Sequence, residues 1–291
     1  MSVEISPVPS VFEALEAAQY PVVEQRVTPR DAMLYALGLG IGEDPLDASQ
    51  LKFVYEKDLR VFPTMAVTLC YPAADKRTHA ALDMRKVLHA FQGFELHAPI
   101  PLECALEGQT RITGVFDKGA DRGVLWTYET LVREKATGTL VCTLSGASMS
   151  LLGGGVGGPR GESRPKKPAP SRAPDAVCDF ATLPQAALIY RLSGDYNPFH
   201  VEPEMARQGG FSRPILHGRC TFGIAGRAIL REICGGDERR LRKMEARFSS
   251  PVFSGETIRT EMWTEGTTVS FRASVPERNV VVLDQGHAEL G

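Results

Sequence analysis

Three residues near the middle of the chain's second half combine side chains able to move protons. Asp195, Asn197 and His200 stand in Gly194-Asp-Tyr-Asn-Pro-Phe-His200. Gly194 permits a sharp exit from a preceding helix. Pro198 fixes its own φ and holds Asn197 extended. Asp195 and His200 can then face one cavity, where a carboxylate and a neutral imidazole sharing a water can activate it and pass its protons. The Asn197 amide could hold either partner. The same residue types also make ordinary Asx turns without any catalysis.

A second element lies downstream, in Pro214-Ile-Leu-His217-Gly218-Arg-Cys220, which leads into a helix-like stretch over 220–231. A glycine at a helix start presents backbone N–H groups where the helix dipole favours negative charge. Gly218 therefore outlines an oxyanion site for a carbonyl that gains charge; it equally suits close packing. His217 reads as a buried histidine in a structural role. Asp195, His200 and His217 could also form a two-histidine-one-carboxylate metal set, but no further spaced ligands accompany them, and we expect no metal. No G-x-S-x-G elbow is present, and no cysteine stands in a protease-like pattern with a histidine.

The elements that must position these residues read as a repeat. Thr28-Pro-Arg-Asp31 opens a helix that closes at Gly38, and Thr182-Leu-Pro-Gln185 opens one that closes at Gly194. Each start resembles a capping box with an early proline, and each glycine suits a left-handed C-cap. Leu59–Leu69 matches Ile215–Ala225 as a strand end running into a buried helix, and Lys86–Phe91 matches Lys243–Phe248. Period-two alternation over 124–132, 139–145, 257–263, 269–275 and 280–287 predicts half-buried antiparallel strands, with turns at Lys118-Gly119 and Glu265-Gly266. Helices followed by strands, twice, imply an α+β fold with a helix on each of two sheets side by side. Only the second copy concentrates polar chemistry in the loop after its capped helix, so one site per chain is expected.

Residues 1–150 form the first repeat, 151–175 a Gly/Pro/basic linker, and 176–291 the second repeat. The linker contains Gly153, Gly155 and Gly158 in G-x-G-x-x-G spacing. Pro159 and Pro165 follow where a nucleotide-binding helix would have to start, so the motif does not mark a dinucleotide site. The 291 residues carry 33 Lys and Arg against 35 Asp and Glu, a formal charge of −2, which argues against a general nucleic-acid binder. No apolar run reaches the roughly 18 residues a membrane span needs, and no secretory signal is visible. Six scattered cysteines without C-x-x-C fit reduced thiols in a cytoplasmic protein.

The motif Tyr190–His200 followed by Gly210–Gly223 resembles the hydratase 2 motif of MaoC-like enzymes. Softer matches at Tyr35–Gly38, Leu51–Glu56, Lys86–His89, Phe116–Gly119, Ala246–Phe248 and Thr260–Trp263 are similar to the hydratase 2 unit of the peroxisomal multifunctional enzymes. The resemblance implies a double hot dog fold and reversible hydration of trans-2-enoyl-CoA to (3R)-3-hydroxyacyl-CoA, a hydro-lyase reaction of fatty-acid metabolism. It implies Asp195 and His200 as the catalytic pair, Asn197 as their orienter and the Gly218 N–H as the donor to the thioester carbonyl. Substrate contacts would fall on His89, Ala90, Lys118, Tyr196, Pro198, Phe199 and Phe248, and the first repeat would house the acyl tail. Ala90, Phe62 and Tyr196 depart from the residues common in the family. No cofactor is implied, because CoA is part of the substrate. A homodimer is compatible with the fold, and the C-terminal Ala-Glu-Leu-Gly291 lacks a peroxisomal S-K-L address, which favours a bacterial cytosol or delivery as part of a larger system. A dehydratase acting on carrier-protein thioesters, or a non-catalytic acyl-CoA binding module, are the alternatives.

Overall fold

The computed structural model describes residues 10–72, 81–83, 86–161 and 168–291. Residues 162–167 of the expected linker and most of the N-terminal segment read for a signal lie outside them. Ten strands are named in chain order: β1 (Val23–Val27), β2 (Val87–Leu96), β3 (Cys104–Gly119), β4 (Gly123–Glu134), β5 (Leu140–Ser150), β6 (Ala176–Ala181), β7 (Leu241–Phe248), β8 (Thr257–Glu265), β9 (Thr268–Val275) and β10 (Val280–Leu290). They form one sheet in the order β1-β3-β4-β5-β2-β7-β10-β9-β8-β6. Read outward from the centre, each half has the same order, so the repeat is real. The expected two sheets are instead one, because β2 and β7 pair antiparallel, with Phe91 opposite Arg247 and Gly93 opposite Glu245. Pairing the inner strands leaves, among the described residues, β1 and β6 as edges, and so covers the backbone groups two separate sheets would expose.

The core lies between the sheet and the 15-residue helix Gly218–Glu232, in which every residue from Arg219 to Leu230 is buried. Its small residues permit that depth: a Cβ at Gly226 would stand 2.4 Å from Thr64 Cγ2, and one at Gly223 2.6 Å from Leu39 Cδ2. The matching segment of the first half is a 3₁₀ turn, Pro63–Thr68, ending at an extended Leu69. The expected pair of buried helices is therefore unequal across the described residues.

The helix Pro29–Gly38 has the expected cap. Thr28 Oγ1 accepts from Asp31 N–H, and the Asp31 carboxylate accepts from Thr28 N–H at 2.9 Å. Gly38 is inside this helix, where it packs on Tyr190. The left-handed residue comes later, at Gly40 with φ 78°. In the second half, Ala186–Tyr190 lacks a side-chain cap, because Thr182 Oγ1 is committed to Glu256 O and the Gly255 N–H, both at 2.9 Å. Gly194 does take the left-handed conformation, with φ 112°.

The glycine-rich stretch after β5 folds onto the β3–β4 hairpin. The Asp117 carboxylate accepts from the N–H groups of Gly119, Gly155 and Gly157 at 2.8, 2.7 and 2.9 Å. Those bonds hold its carboxyl down at about 2. Of the glycines in the G-x-G-x-x-G spacing, Gly155 thus donates to a carboxylate of the chain itself.

Candidate active site

Asp195 follows the left-handed Gly194, and Asn197 opens the 3₁₀ turn Pro198–His200. Asn197 does two things at once. Its N–H donates to Asp195 Oδ1 at 3.3 Å, and its side-chain oxygen accepts from Phe199 N–H at 3.1 Å. The Asx turn is present, and it sets both the carboxylate and the turn that carries His200.

His200 Nδ1 lies 2.9 Å from the Ile215 carbonyl. A carbonyl only accepts, so Nδ1 carries the proton and Nε2 keeps its lone pair. His217 Nε2 likewise donates to the Asp195 backbone carbonyl at 3.1 Å, which ties the loop to the start of the long helix. Its Nδ1 is buried without a partner among the described residues. The two imidazoles stack, with centroids 3.6 Å apart and planes 27° from parallel.

A carboxylate oxygen of Asp195 and one ring nitrogen each of His200 and His217 lie within 4.8 Å of one another. The metal alternative thus has its three residues together. The stacking opposes it: ligand lone pairs lie in the ring planes, and nearly parallel planes do not converge on one ion.

Electrostatics suit a base pair ready at neutral pH. Burial pushes the Asp195 carboxyl up, but nearby positive charge and the Asn197 N–H outweigh it and hold the group below the ordinary carboxylate range. Burial lowers both histidines, His217 to about 3. At neutral pH both imidazoles are then neutral, and the buried Arg219 guanidinium is the positive charge that remains near Asp195.

Asp195, His200 and Arg219 face a cavity of about 1620 Å³ shared by both halves. Its wall includes Asp195, Asn197, Phe199, His200, Gly218, His89, Ala90, Lys118 and Phe248. Tyr196 and Pro198 are not in the wall. The Tyr196 ring is more than half exposed and lies under Arg191, 4.9 Å from its guanidinium. Gly218 is the first residue of the long helix, no side chain caps that helix, and its first-turn N–H groups point out of the helix start. A Cβ at Gly218 would press on Phe248 at 3.1 Å, so the glycine keeps this approach open. β2 slips register between His89 and Phe91, and this bulge brings both His89 and Ala90 to the cavity. The His89 ring packs on Phe248 at 4.5 Å; burial, with Arg219 adding, lowers it to about 3, and its Nε2 is buried without a partner among the described residues. Lys118 Nζ donates to the Arg160 carbonyl and lies over the Phe116 ring, 5.3 Å from its centre.

Sequence reasoning missed Arg219, Tyr71, Trp126 and Tyr128, which also line the cavity. Arg219 carried a signal: with Arg227 it is one of two charged residues in the otherwise uncharged stretch 219–230.

Residues 26–150 match the MFE-2 hydratase 2 N-terminal domain and residues 163–285 match the MaoC like domain. The chain is 36% identical to "Enoyl-CoA hydratase 2, peroxisomal" of Arabidopsis thaliana, over 93% of each chain. It is 41% identical to "3-hydroxyacyl-thioester dehydratase Y" of Mycobacterium tuberculosis, over 90% of this chain and 92% of that one. The crystal structure of a MaoC-like dehydratase from Phytophthora capsici superposes with a TM-score of 0.81 at 33% identity, covering 96% and 98%. A Mycobacterium tuberculosis protein described as a double hot dog superposes with a TM-score of 0.59 at 14% identity, over 97% and 98%, which bears on fold alone. The architecture is the double hot dog. The chain belongs to the MaoC-like hydratase 2 family, and as such it is a carbon–oxygen lyase.

Proposed function

We propose that this protein reversibly hydrates trans-2-enoyl-CoA to (3R)-3-hydroxyacyl-CoA in fatty-acid metabolism, with Asp195 and His200 as the catalytic pair. One observation carries the assignment. The Asp195 carboxylate and a His200 imidazole with its Nε2 lone pair free share a cavity with the uncapped helix start at Gly218.

The chemistry follows from the protonation states. A water held between the Asp195 carboxylate and His200 Nε2 gives one proton to the base as its oxygen bonds to Cβ of the enoyl thioester. Charge moves to the thioester oxygen, where the Gly218 N–H stabilises the enolate-like state; such a donor contributes roughly 3 kcal/mol. The proton then passes from the base to Cα on the same face, so the elements of one water are added and none is left over. His217 holds the loop in register through the Asp195 carbonyl. The His89 Nε2 lone pair suits an amide N–H of the pantetheine arm.

The pattern of chemistry supports one working site per chain, with the first repeat supplying room for the acyl tail. The six free cysteines, five of them buried, fit a cytoplasmic setting. Among the described residues no helix is long and apolar enough to cross a membrane.

The test is loss of the conjugated-thioester absorbance when a chain-length series of trans-2-enoyl-CoA is added, with the product's chirality determined. Matched carrier-protein thioesters run alongside. Absence of turnover with every thioester, or a (3S) product, overturns the reading.

A further inference from the structure

One charge in the cavity contacts nothing in the steps above, although it acts on Asp195 at longer range. Arg219 is only 8% exposed, yet it lines the cavity. Among the described residues no carboxylate lies within 4.0 Å of its guanidinium. Its closest contacts are neutral. Nε donates to Gln92 Oε1 at 3.2 Å, and the guanidinium sits over the Tyr71 ring, 4.3 Å from its centre. Gln92 is itself pinned, because its Nε2 donates to the Gly93 and Ser145 carbonyls at 3.1 and 3.2 Å. The amide therefore presents its oxygen to Arg219 and holds the guanidinium in place. A buried arginine with no anion in contact among the described residues is costly, and a planar fork of donors is the side chain best matched to a carboxylate.

We propose that Arg219, aligned by Gln92 and Tyr71, is a subsite for a carboxylate carried on the acyl part of the substrate. The preferred substrate class is then the CoA monothioester of an unsaturated dicarboxylic acid. This rests on the hydratase reading above. Position supports the acyl side. Arg219 is the residue after Gly218, its Cα about 3.8 Å away, and Gly218 is where the thioester carbonyl binds. The CoA phosphates lie at the far end of the pantetheine arm, beyond the reach of this side chain. Arg219 turns toward Gln92 on β2 and Tyr71, which belong to the first repeat, the half assigned to the tail.

The experiment compares kcat/KM for the CoA thioester of a trans-2-enoic acid and for the CoA monothioester of the trans-2-enedioic acid of equal length, across a length series. In the wild-type protein the dicarboxylic substrate is expected to be favoured by about tenfold or more at the matching length, the worth of one charge-assisted bond. Arg219→Met keeps the volume and removes the charge, and is expected to abolish that ratio. A binding measurement needs no turnover: the saturated dicarboxylic monothioester should bind wild type about tenfold more tightly than the saturated monocarboxylic one. If enoyl-CoA is hydrated and the dicarboxylic substrate is not favoured at any length, the subsite is wrong while the hydratase reading stands. If nothing is hydrated but the binding preference is present, the hydratase reading fails and the subsite survives. Equal loss on both substrates in Arg219→Met, with the ratio unchanged, also overturns the proposal. Should that variant unfold, the wild-type ratio and the binding preference decide alone.

Discussion

Two loops occupy the same place in the two repeats, each after the corresponding helix. The first, over 38–47, has Gly40 and Gly42 in left-handed conformations, with φ 78° and 90°. It grips the middle of the long helix: Arg227 Nη1 donates to Leu39 O at 3.2 Å, and Arg227 Nη2 pairs with Glu43 at 2.7 Å. The second, over 194–200, grips the start of the same helix, with His217 bound to the Asp195 carbonyl and Ile215 bound by His200. Both loops anchor one helix. Only the second does so with side chains that keep a free carboxylate and a free imidazole lone pair at the cavity. The difference shows how a repeated scaffold can hold structure with one copy and place chemistry in the other.

The comparison breaks most visibly at the second loop. Asp195→Asn and His200→Ala should each lower kcat by about 10²–10⁴-fold, the range of a positioned acid–base group, with the thermal midpoint little changed. Near-wild-type rates in both would remove the distinction between the loops. Next, Gly218→Pro deletes the N–H donor at a first helical position, where proline is tolerated, and His217 before it is already extended at ψ 131°. We expect kcat to fall about 10²–10³-fold, with the helix signal in circular dichroism retained; an unaffected kcat would move the oxyanion donor elsewhere.

The first loop should answer in stability alone. Glu43→Gln leaves a buried Arg227 without its anion. Because Glu43 is nearly half exposed, the cost is discounted to about 1–2 kcal/mol, read by urea unfolding, with kcat unchanged. A smaller effect concerns pH. Asp195 and His200 both work deprotonated, and the folded protein holds both below their ordinary values. Activity should persist above those depressed values and be lost only as pH falls through them, so the acid limb of kcat/KM lies below the free-histidine value of about 6.5. A limb at or above 6.5 would count against His200 as the base.

Much of this was legible in residue order. Gly194, Pro198 and the Asn197 turn behave as their local chemistry requires, and the alternation over 124–132 and 269–275 lies in strands. Thr182 and Gly38 did not follow their local signals. Thr182 found the backbone of 255–256, seventy-odd residues away, and Gly38 met Tyr190 across the junction of the repeats. Capping rules see a few neighbours along the chain, and long-range partners compete for the same hydroxyl or the same close approach.

Local chemistry alone determined the reactive loop, the repeat of elements and the absence of nucleotide-binding geometry at the glycines, because turns, caps and alternation depend on short stretches of chain. Only the tertiary structure decided that the two repeats merge through β2 and β7, that His217 stacks on His200, and that Arg219 stands buried between Gln92 and Tyr71. Each of those depends on backbone pairing or side-chain burial between segments far apart in sequence. No spacing records such proximity until the sheet closes around the helix.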